Sequence, residues 1–279
     1  MHTDFFKRQS KKQSNQPLKQ QIRKIPCYKN VVAKSFDRAA VTYDRFAEFQ
    51  KRVLSELIEL CPSMQASTCL DLGCGTGNGL PFLNALSNRV VALDISSKML
   101  TQATSKYTNT SFVCADAEAL PFAAESFDLV LSNLAIQWSK NLSSLTQEVS
   151  HTLSSGGYFL ASSLCQNSMI EIAQCWHQVD GLDHTNTYLT YDEVLCEVLS
   201  ANMTLESSHC KPVIMWFDTP QAAIDSIKRV GASVLVNDKD RRLVTPSTWA
   251  RFLVEYEKLR TPKGIPLTYQ VVYFLLKKK

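Results

Sequence analysis

Between residues 68 and 164 the apolar residues fall into short runs, each closed by a turn former or a polar side chain. Thr68–Leu72, Arg89–Leu93, Ser111–Cys114, Phe127–Leu131 and Tyr158–Leu164 have this form. Short apolar runs without alternation predict strands buried on both faces, as in a parallel sheet. Between them the apolar spacing lengthens to three and four, which predicts helices. One opens near Asn78. A second follows Ser96, its cap, and carries Met99 and Leu100 on one face. A third covers Asn141–Leu153, after which Gly156-Gly157 turns the chain into the fifth strand. Strand and helix in alternation predict an α/β domain around a mostly parallel sheet.

The flanks follow a different rhythm. Upstream, Phe36, Ala39, Ala40 and Tyr43 recur at helical spacing, predicting a helix over Val31–Ala47 and a second one running to about Leu60, before Pro62. Downstream, helices are expected near 168–179 and 191–199, then a long strand Thr204–Phe217, helices near 220–230 and 246–260, and a last strand Thr268–Leu276. This divides the chain into a basic tail over 1–30, expected to be disordered, and one domain over 31–279. Within the domain lie N-terminal helices (31–60), a central core (68–164), and helical insertions with the last two strands (165–279).

The chemistry gathers where the strands end. Four of the nine glycines fall in the run from Thr68 to Gly79, with Gly73, Gly75 and Gly77 at alternate positions. A dinucleotide fingerprint would need its third glycine at the position of Asn78. The acidic Asp71 just ahead of the turn would repel a pyrophosphate, yet could pair with an ammonium or a sulfonium. Asp94 closes the second strand, placed to accept two ribose hydroxyls. Asp116 follows the third, placed to meet an adenine amino group, and Asn133 follows the fourth. Each of these alone could be a helix cap or a turn residue. Together, in order, they collect at the carboxyl edge of one sheet, where open α/β sheets bind ligands. Cys74 fits the glycine turn as a small residue.

The block Asp71-Leu72-Gly73-Cys74-Gly75-Thr76-Gly77, then Asp94, then Asp116-Ala117, resembles the class I S-adenosylmethionine-dependent methyltransferases. That resemblance implies a Rossmann-like sheet, mostly parallel with an antiparallel last strand. The helical insertions would then cap the carboxyl edge and exclude competing water. It also implies that S-adenosyl-L-methionine is held by Asp71, Gly73, Cys74, Gly75, Gly77, Asp94, Ile95, Met99, Asp116, Ala117 and Asn133.

Composition narrows the class further. With 45% hydrophobic and 20% charged residues the chain reads as an ordinary globular protein. No apolar run approaches the ~20 residues of a membrane span, and the N-terminus carries no apolar signal segment, so a cytoplasmic protein is expected. The nine cysteines show no C-x-x-C spacing and the five histidines no H-E-x-x-H pair, which predicts reduced thiols and no metal site. Charge is uneven: residues 1–35 carry nine Lys/Arg against one acid, 36–220 nine against twenty, and 221–279 twelve against five.

Further stretches resemble the malonyl-acyl-carrier-protein O-methyltransferases that start pimeloyl synthesis in the biotin pathway. They are Phe36–Asp44, Ser132–Trp138, Trp216–Asp218, Ile227–Ala232 and Pro266–Tyr269. This resemblance implies attack of a malonyl thioester carboxylate on a sulfonium methyl. A free carboxyl with a pKa of about 3.5 is already ionised at pH 7, so no general base is needed. A hydroxyl and a cation should share the task of holding it: Tyr43 for the hydroxyl, and Lys228 or Arg229 before Arg38 for the cation. Gln137 and Trp138 would wall the transfer pocket, with Tyr269 as a weaker candidate. The expected partner is an acidic acyl carrier protein, with malonyl-coenzyme A as the other possible thioester. Lys228, Arg229, Lys239, Arg241 and Arg242 would steer the carrier in. Three alternatives stay open: another small acceptor such as a quinone ring carbon or a different carboxylic acid, a non-catalytic cofactor-binding scaffold, and a nucleic-acid methyltransferase. The last is disfavoured because Ser132-Asn133-Leu134-Ala135 stands where amino-methylating enzymes carry a D/N-P-P-Y/W pattern.

Overall fold

The computed structural model describes residues 27–235 and 244–279. Most of the basic tail lies outside the described residues, as do Lys239, Arg241 and Arg242.

Seven strands form one sheet: β1 (Cys69–Leu72), β2 (Val90–Asp94), β3 (Thr110–Cys114), β4 (Phe127–Asn133), β5 (Leu153–Leu164), β6 (Met203–Phe217) and β7 (Ile265–Lys278). Their order is β3-β2-β1-β4-β5-β7-β6. The first five run parallel, and β7 is antiparallel to both of its neighbours. The order reverses between β1 and β4, so a crevice opens above their carboxyl ends. The central strands β1, β2 and β4 are buried on both faces, as their continuous apolar runs predict, whereas the edge strands β3 and β6 are partly exposed. Along β1, Cys69 joins a core with Leu57, Leu83 and Leu131, while Leu70 and Leu72 join the opposite core with Leu145, Val149 and Phe159. That alternation is the period-two pleat of a strand.

The connecting helices are α4 (Leu80–Leu86), α5 (Ser97–Lys106) and α6 (Leu142–Thr152). Ser96 caps α5 by accepting the Met99 N–H, and Asn141 caps α6 by accepting that of Ser144. Two further helices, α7 (Ile170–Asp180) and α8 (Tyr191–Val198), separate β5 from β6; α9 (Pro220–Arg229) and α10 (Pro246–Glu257) separate β6 from β7. Trp176 of α7 stacks on Phe252 of α10 at 4.5 Å, which joins the two insertions.

Several boundaries differ from expectation, each for a local reason. The expected helix over Val31–Ala47 is two: α1 (Cys27–Ala39) and a single turn α2 (Tyr43–Phe46), followed by α3 (Glu48–Ile58). The break falls at Ala40–Thr42, where the Thr42 N–H bonds back to Ala39 and the β-branched Val41 stands in solvent. Helix α4 begins at Leu80 because the N–H groups of Gly77 and Leu80 are spent on turn bonds to Cys74 and Gly77. The fifth strand starts at Leu153, and Gly156, at φ +75, bends it internally. The tail boundary is also corrected: the chain is helical from Cys27, and Lys29 is buried at 5% exposure. A cation so enclosed needs a partner, and Asp116 and Glu118 provide it.

Polar ties hold these N-terminal helices over the crevice. Ser96 Oγ donates to Asp37 of α1 at 2.6 Å. Thr76 Oγ1, in the glycine turn, donates to Asp44 of α2, and Lys106 Nζ pairs with the same carboxylate at 2.9 Å. Lys29 Nζ lies 2.7 Å from the Glu118 carboxylate.

Candidate active site

The turn after β1 is built from left-handed glycines: Gly73, Gly75 and Gly77 have φ of +75, +55 and +89. The N–H groups of Gly73 and Cys74 donate to the Leu93 carbonyl at 2.8 and 3.0 Å, stitching the turn to β2. A Cβ on Gly73 would stand 2.3 Å from that of Ala135, so only glycine fits between the turn and the β4 loop. A Cβ on Gly75 would meet nothing within 4 Å. Gly73 and Gly75 both line a cavity above the carboxyl ends of the strands. Gly77 does not: it packs against Tyr107 and Leu80, and its role is to shape the turn. Cys74 points into the core with its thiol pushed up by burial, which leaves it inert.

Asp94 forms part of the cavity wall. Its Oδ2 accepts the Gly75 N–H at 2.8 Å and its Oδ1 the Ser96 N–H at 2.7 Å. Burial pushes its carboxyl up to about 6, against those two bonds. Asp71 sits behind the turn, outside the lining, in contact distance of Gly79. Its Oδ2 is buried without a partner, and burial, followed by the nearby Asp94 charge, pushes the carboxyl up to about 7.

Ile95 and Met99 continue the wall from β2 into α5, and Asp116 with Ala117 lies at the end of β3. Asp116 Oδ1 is held by Lys29 Nζ and the Glu118 N–H, so one carboxylate oxygen remains open. Asn133, at the end of β4, donates from Nδ2 to the Gln50 carbonyl and accepts from Ser162 Oγ. Tyr43 and Trp138 close the cavity from above, with Phe36 edge-on to Trp138 at 5.6 Å. The Tyr43 phenol is pushed up by burial and by the Asp94 and Asp44 charges, so it stays protonated at neutral pH.

The acceptor-side candidates fare differently. Gln137 turns away from the cavity and lines a surface depression beside α6 and α8, because successive side chains of its 3-10 turn (Ile136–Trp138) point about 120° apart. Arg38 is exposed on α1 and does not line the cavity. Lys228 and Arg229, in the last turn of α9, lie over aromatic rings, Lys228 over Trp249 and Arg229 over Phe46. Neither reaches the cavity. Tyr269, 8% exposed and stacked on Phe49 at 3.9 Å, lines a separate cavity on the far side of Asn133's partner Gln50.

A methyltransferase-domain family matches residues 70–161, the stretch that supplies β1 to β5. A malonyl-[acyl-carrier protein] O-methyltransferase of Marinomonas sp. (strain MWYL1) is 44% identical over 251 residues, covering 88% of this chain and 93% of that protein. The chain belongs to the malonyl-[acyl-carrier protein] O-methyltransferase family. A relative with the same name from Salmonella typhimurium is 32% identical over 87% of the chain and 95% of its own length. The YcgJ protein of Bacillus subtilis shares the fold, with a TM-score of 0.57 at 15% identity, covering 82% of this chain and 98% of that one.

Within this malonyl-[acyl-carrier protein] O-methyltransferase family member, the lining fits a nucleoside-bearing cation. An open glycine face and two acids at successive strand ends offer acceptors, Asp71 adds a buried carboxyl behind the turn, and among the described residues the lining holds no cluster of basic groups for phosphate. Sequence reasoning missed Lys29, whose ion pair fixes Asp116, and Asp37 and Asp44, which hold the N-terminal helices down. The signal for the two aspartates was present in Phe36–Asp44; Lys29 gave none, standing singly between Tyr28 and Asn30 outside any motif. Among the described residues no group of three or more His, Cys, Asp or Glu side chains is arranged for a metal, and no helix is long and apolar enough to cross a membrane.

Proposed function

We propose that this chain methylates the free carboxylate of a malonyl thioester on an acyl carrier protein, using S-adenosyl-L-methionine, to give the methyl ester that enters pimeloyl and biotin synthesis. The observation that carries the reading is the relative of that name, 44% identical along 88% of the chain. When bound, the cofactor supplies an electrophilic methyl group on a sulfonium and departs as a neutral thioether. Asp94 would accept its ribose hydroxyls, Asp116 its adenine amino group, and Asn133 with the Gly73–Gly75 turn its methionine end.

The site's titratable groups support a carboxylate acceptor. Among the described residues no histidine lines the cavity, Lys29 is engaged with two carboxylates, and the Tyr43 phenol keeps its proton. A carbon or amine acceptor would need a base. A malonyl carboxylate needs only alignment and a hydrogen-bond donor, and Tyr43, in the cavity lining, would donate. Well-oriented pairs gain about 7–11 kcal/mol from positioning alone. Anion and sulfonium annihilate their charges on reaction, so the dry wall of Phe36 and Trp138 favours transfer. The α7–α10 insertions serve as the cap of this domain, and an acidic carrier in the cytoplasm is its partner.

The test is a mass-spectrometric assay with methyl-labelled S-adenosylmethionine and malonyl-carrier protein, malonyl-coenzyme A and free malonate side by side. Label in a malonyl methyl ester, formed fastest on the carrier, is expected. Cofactor binding with no label in any of the three would overturn the reading.

A further inference from the structure

A second cavity adjoins the first. It is lined by the buried Phe49 and Tyr269 with Gln50, by Met215 and Phe217 of β6, and by Ser226 of α9. Gln50 stands between the two spaces: its carbonyl accepts the Asn133 side-chain N–H, and Asn133 lines the first cavity. The side-chain Oε1 of Gln50 is buried with no hydrogen-bond partner among the described residues. At the outer end stands Arg45, exposed, its guanidinium 5.4 Å from the centre of the Phe46 ring. Arg229, also exposed, lies 4.5 Å over the same ring. Neither arginine has a carboxylate partner within ion-pair distance among the described residues, although Glu48 stands on the same rim.

We propose that this second cavity receives the phosphopantetheine arm of the carrier protein, with Arg45 and Arg229 binding the arm's phosphate and Gln50 an amide N–H of the arm. The proposal rests on the malonyl-carrier reading above. Three features of the arm match three features of the cavity, in order from the solvent inwards. The phosphate monoanion meets two guanidinium groups, whose planar forks suit phosphate oxygens better than ammonium groups do. The arm's slender carbon chain runs along Phe46, Phe49, Met215 and Phe217. Its amides find a buried acceptor that otherwise stays unpaired at a cost. The thioester end then arrives at Asn133, beside Tyr43. Cation–π contact with Phe46 holds both guanidinium groups in place before the ligand comes, which lowers the ordering cost of binding. Arg229, expected to hold the malonyl carboxylate, is thereby given a different anion.

The experiment compares wild type with R45A, R229A and the double variant on four thioesters: malonyl-pantetheine, malonyl-4′-phosphopantetheine, malonyl-coenzyme A and malonyl-carrier protein. Cofactor affinity measured on the same samples reports folding, which two exposed residues leave intact. Wild type should prefer phosphopantetheine over pantetheine, and the double variant should erase that preference by raising KM about tenfold or more, the worth of a charge-assisted contact. The carrier substrate should suffer at least as much. Equal losses on pantetheine and phosphopantetheine, or a loss on coenzyme A that spares the carrier, would overturn the assignment. Wild type inactive on all four would overturn the malonyl reading itself and the arm with it; wild type active with its phosphate preference intact in the double variant would sink the arm alone.

Discussion

The carboxylate of Asp94 accepts the backbone N–H of Gly75 at 2.8 Å across nineteen positions of sequence. The acid at the tip of β2 therefore shapes the glycine turn as well as facing the cavity. Its other oxygen is held by the Ser96 N–H, so both oxygens are fixed before any ribose arrives, each with a lone pair to spare. Replacing it with Asn turns one acceptor into a donor aimed at a backbone N–H. D94N should weaken cofactor binding about 10- to 100-fold, the loss of hydrogen bonds to a charged group, as read by titration calorimetry. Unchanged affinity would mean that Asp94 acts on the turn alone.

The two cavity-lining glycines should separate stability from binding. G73A forces a Cβ to within 2.3 Å of Ala135 and holds alanine at φ +75; thermal unfolding should show a loss of about 2–4 kcal/mol from overpacking and left-handed strain. G75A meets open space, so its stability loss should stay near 1–2 kcal/mol, the left-handed term alone. It should nevertheless bind cofactor poorly, because its methyl projects into the cavity. Similar stability for the two variants would contradict the geometry.

The strands of the central sheet and their acidic ends were legible because they rest on local signals: apolar runs, turn glycines and spacing. Interior placements were not. Gln137 and Trp138 are neighbours in sequence, yet one faces the surface depression and the other the cavity, a difference set by a single 3-10 turn. Lys228 and Arg229 read as free cations until Trp249 and Phe46, distant in sequence, are seen beneath them. The buried state of Lys29 depends on two acids almost ninety residues away.

That ion pair makes its own prediction. Lys29 is 6% exposed at its side chain, its partners Asp116 and Glu118 19% and 22%. K29M leaves two half-buried carboxylates facing each other without a cation. Loss of a fully buried pair member costs about 3–5 kcal/mol, and the partial exposure of the acids should reduce this to about 1–3 kcal/mol. Proteolysis near α1 should accelerate in parallel, since Lys29 is one of the ties holding that helix. A variant as stable as wild type would show that the tie is dispensable.

Tyr43 should divide binding from turnover. Y43F keeps the ring on the cluster of Ala39, Ala40 and Met99 and removes only the hydroxyl. Cofactor affinity should stay within about twofold, while kcat on a malonyl thioester should fall about tenfold or more, the loss of one hydrogen bond to a charged reacting group. Because the phenol remains protonated throughout the neutral range, the loss should be the same at pH 6.5 and pH 8.5. A pH-dependent deficit would point instead to a proton-transfer role.

Asp71 sets stability against ligand binding. Burial, and then the neighbouring Asp94 charge, push its carboxyl up to about 7, well above the usual carboxylate range. A raised folded pKa means the folded state holds its proton more tightly than the unfolded state. The stability from that proton is complete below about pH 4 and is lost as pH rises through 7. Ligand-free protein should therefore melt at lower temperature at pH 8 than at pH 6 by this contribution. D71N removes the titration: it should flatten the dependence and raise the melting temperature at pH 8. A cationic ligand end near the turn would reverse the balance, since it stabilises the ionised carboxylate. D71N should then bind S-adenosylmethionine more weakly than wild type at pH 8 even though it is the more stable protein, and the gap should narrow at pH 6. An Asn variant that lost stability at pH 8 would mean that the Asp71 carboxylate is already compensated in the ligand-free protein.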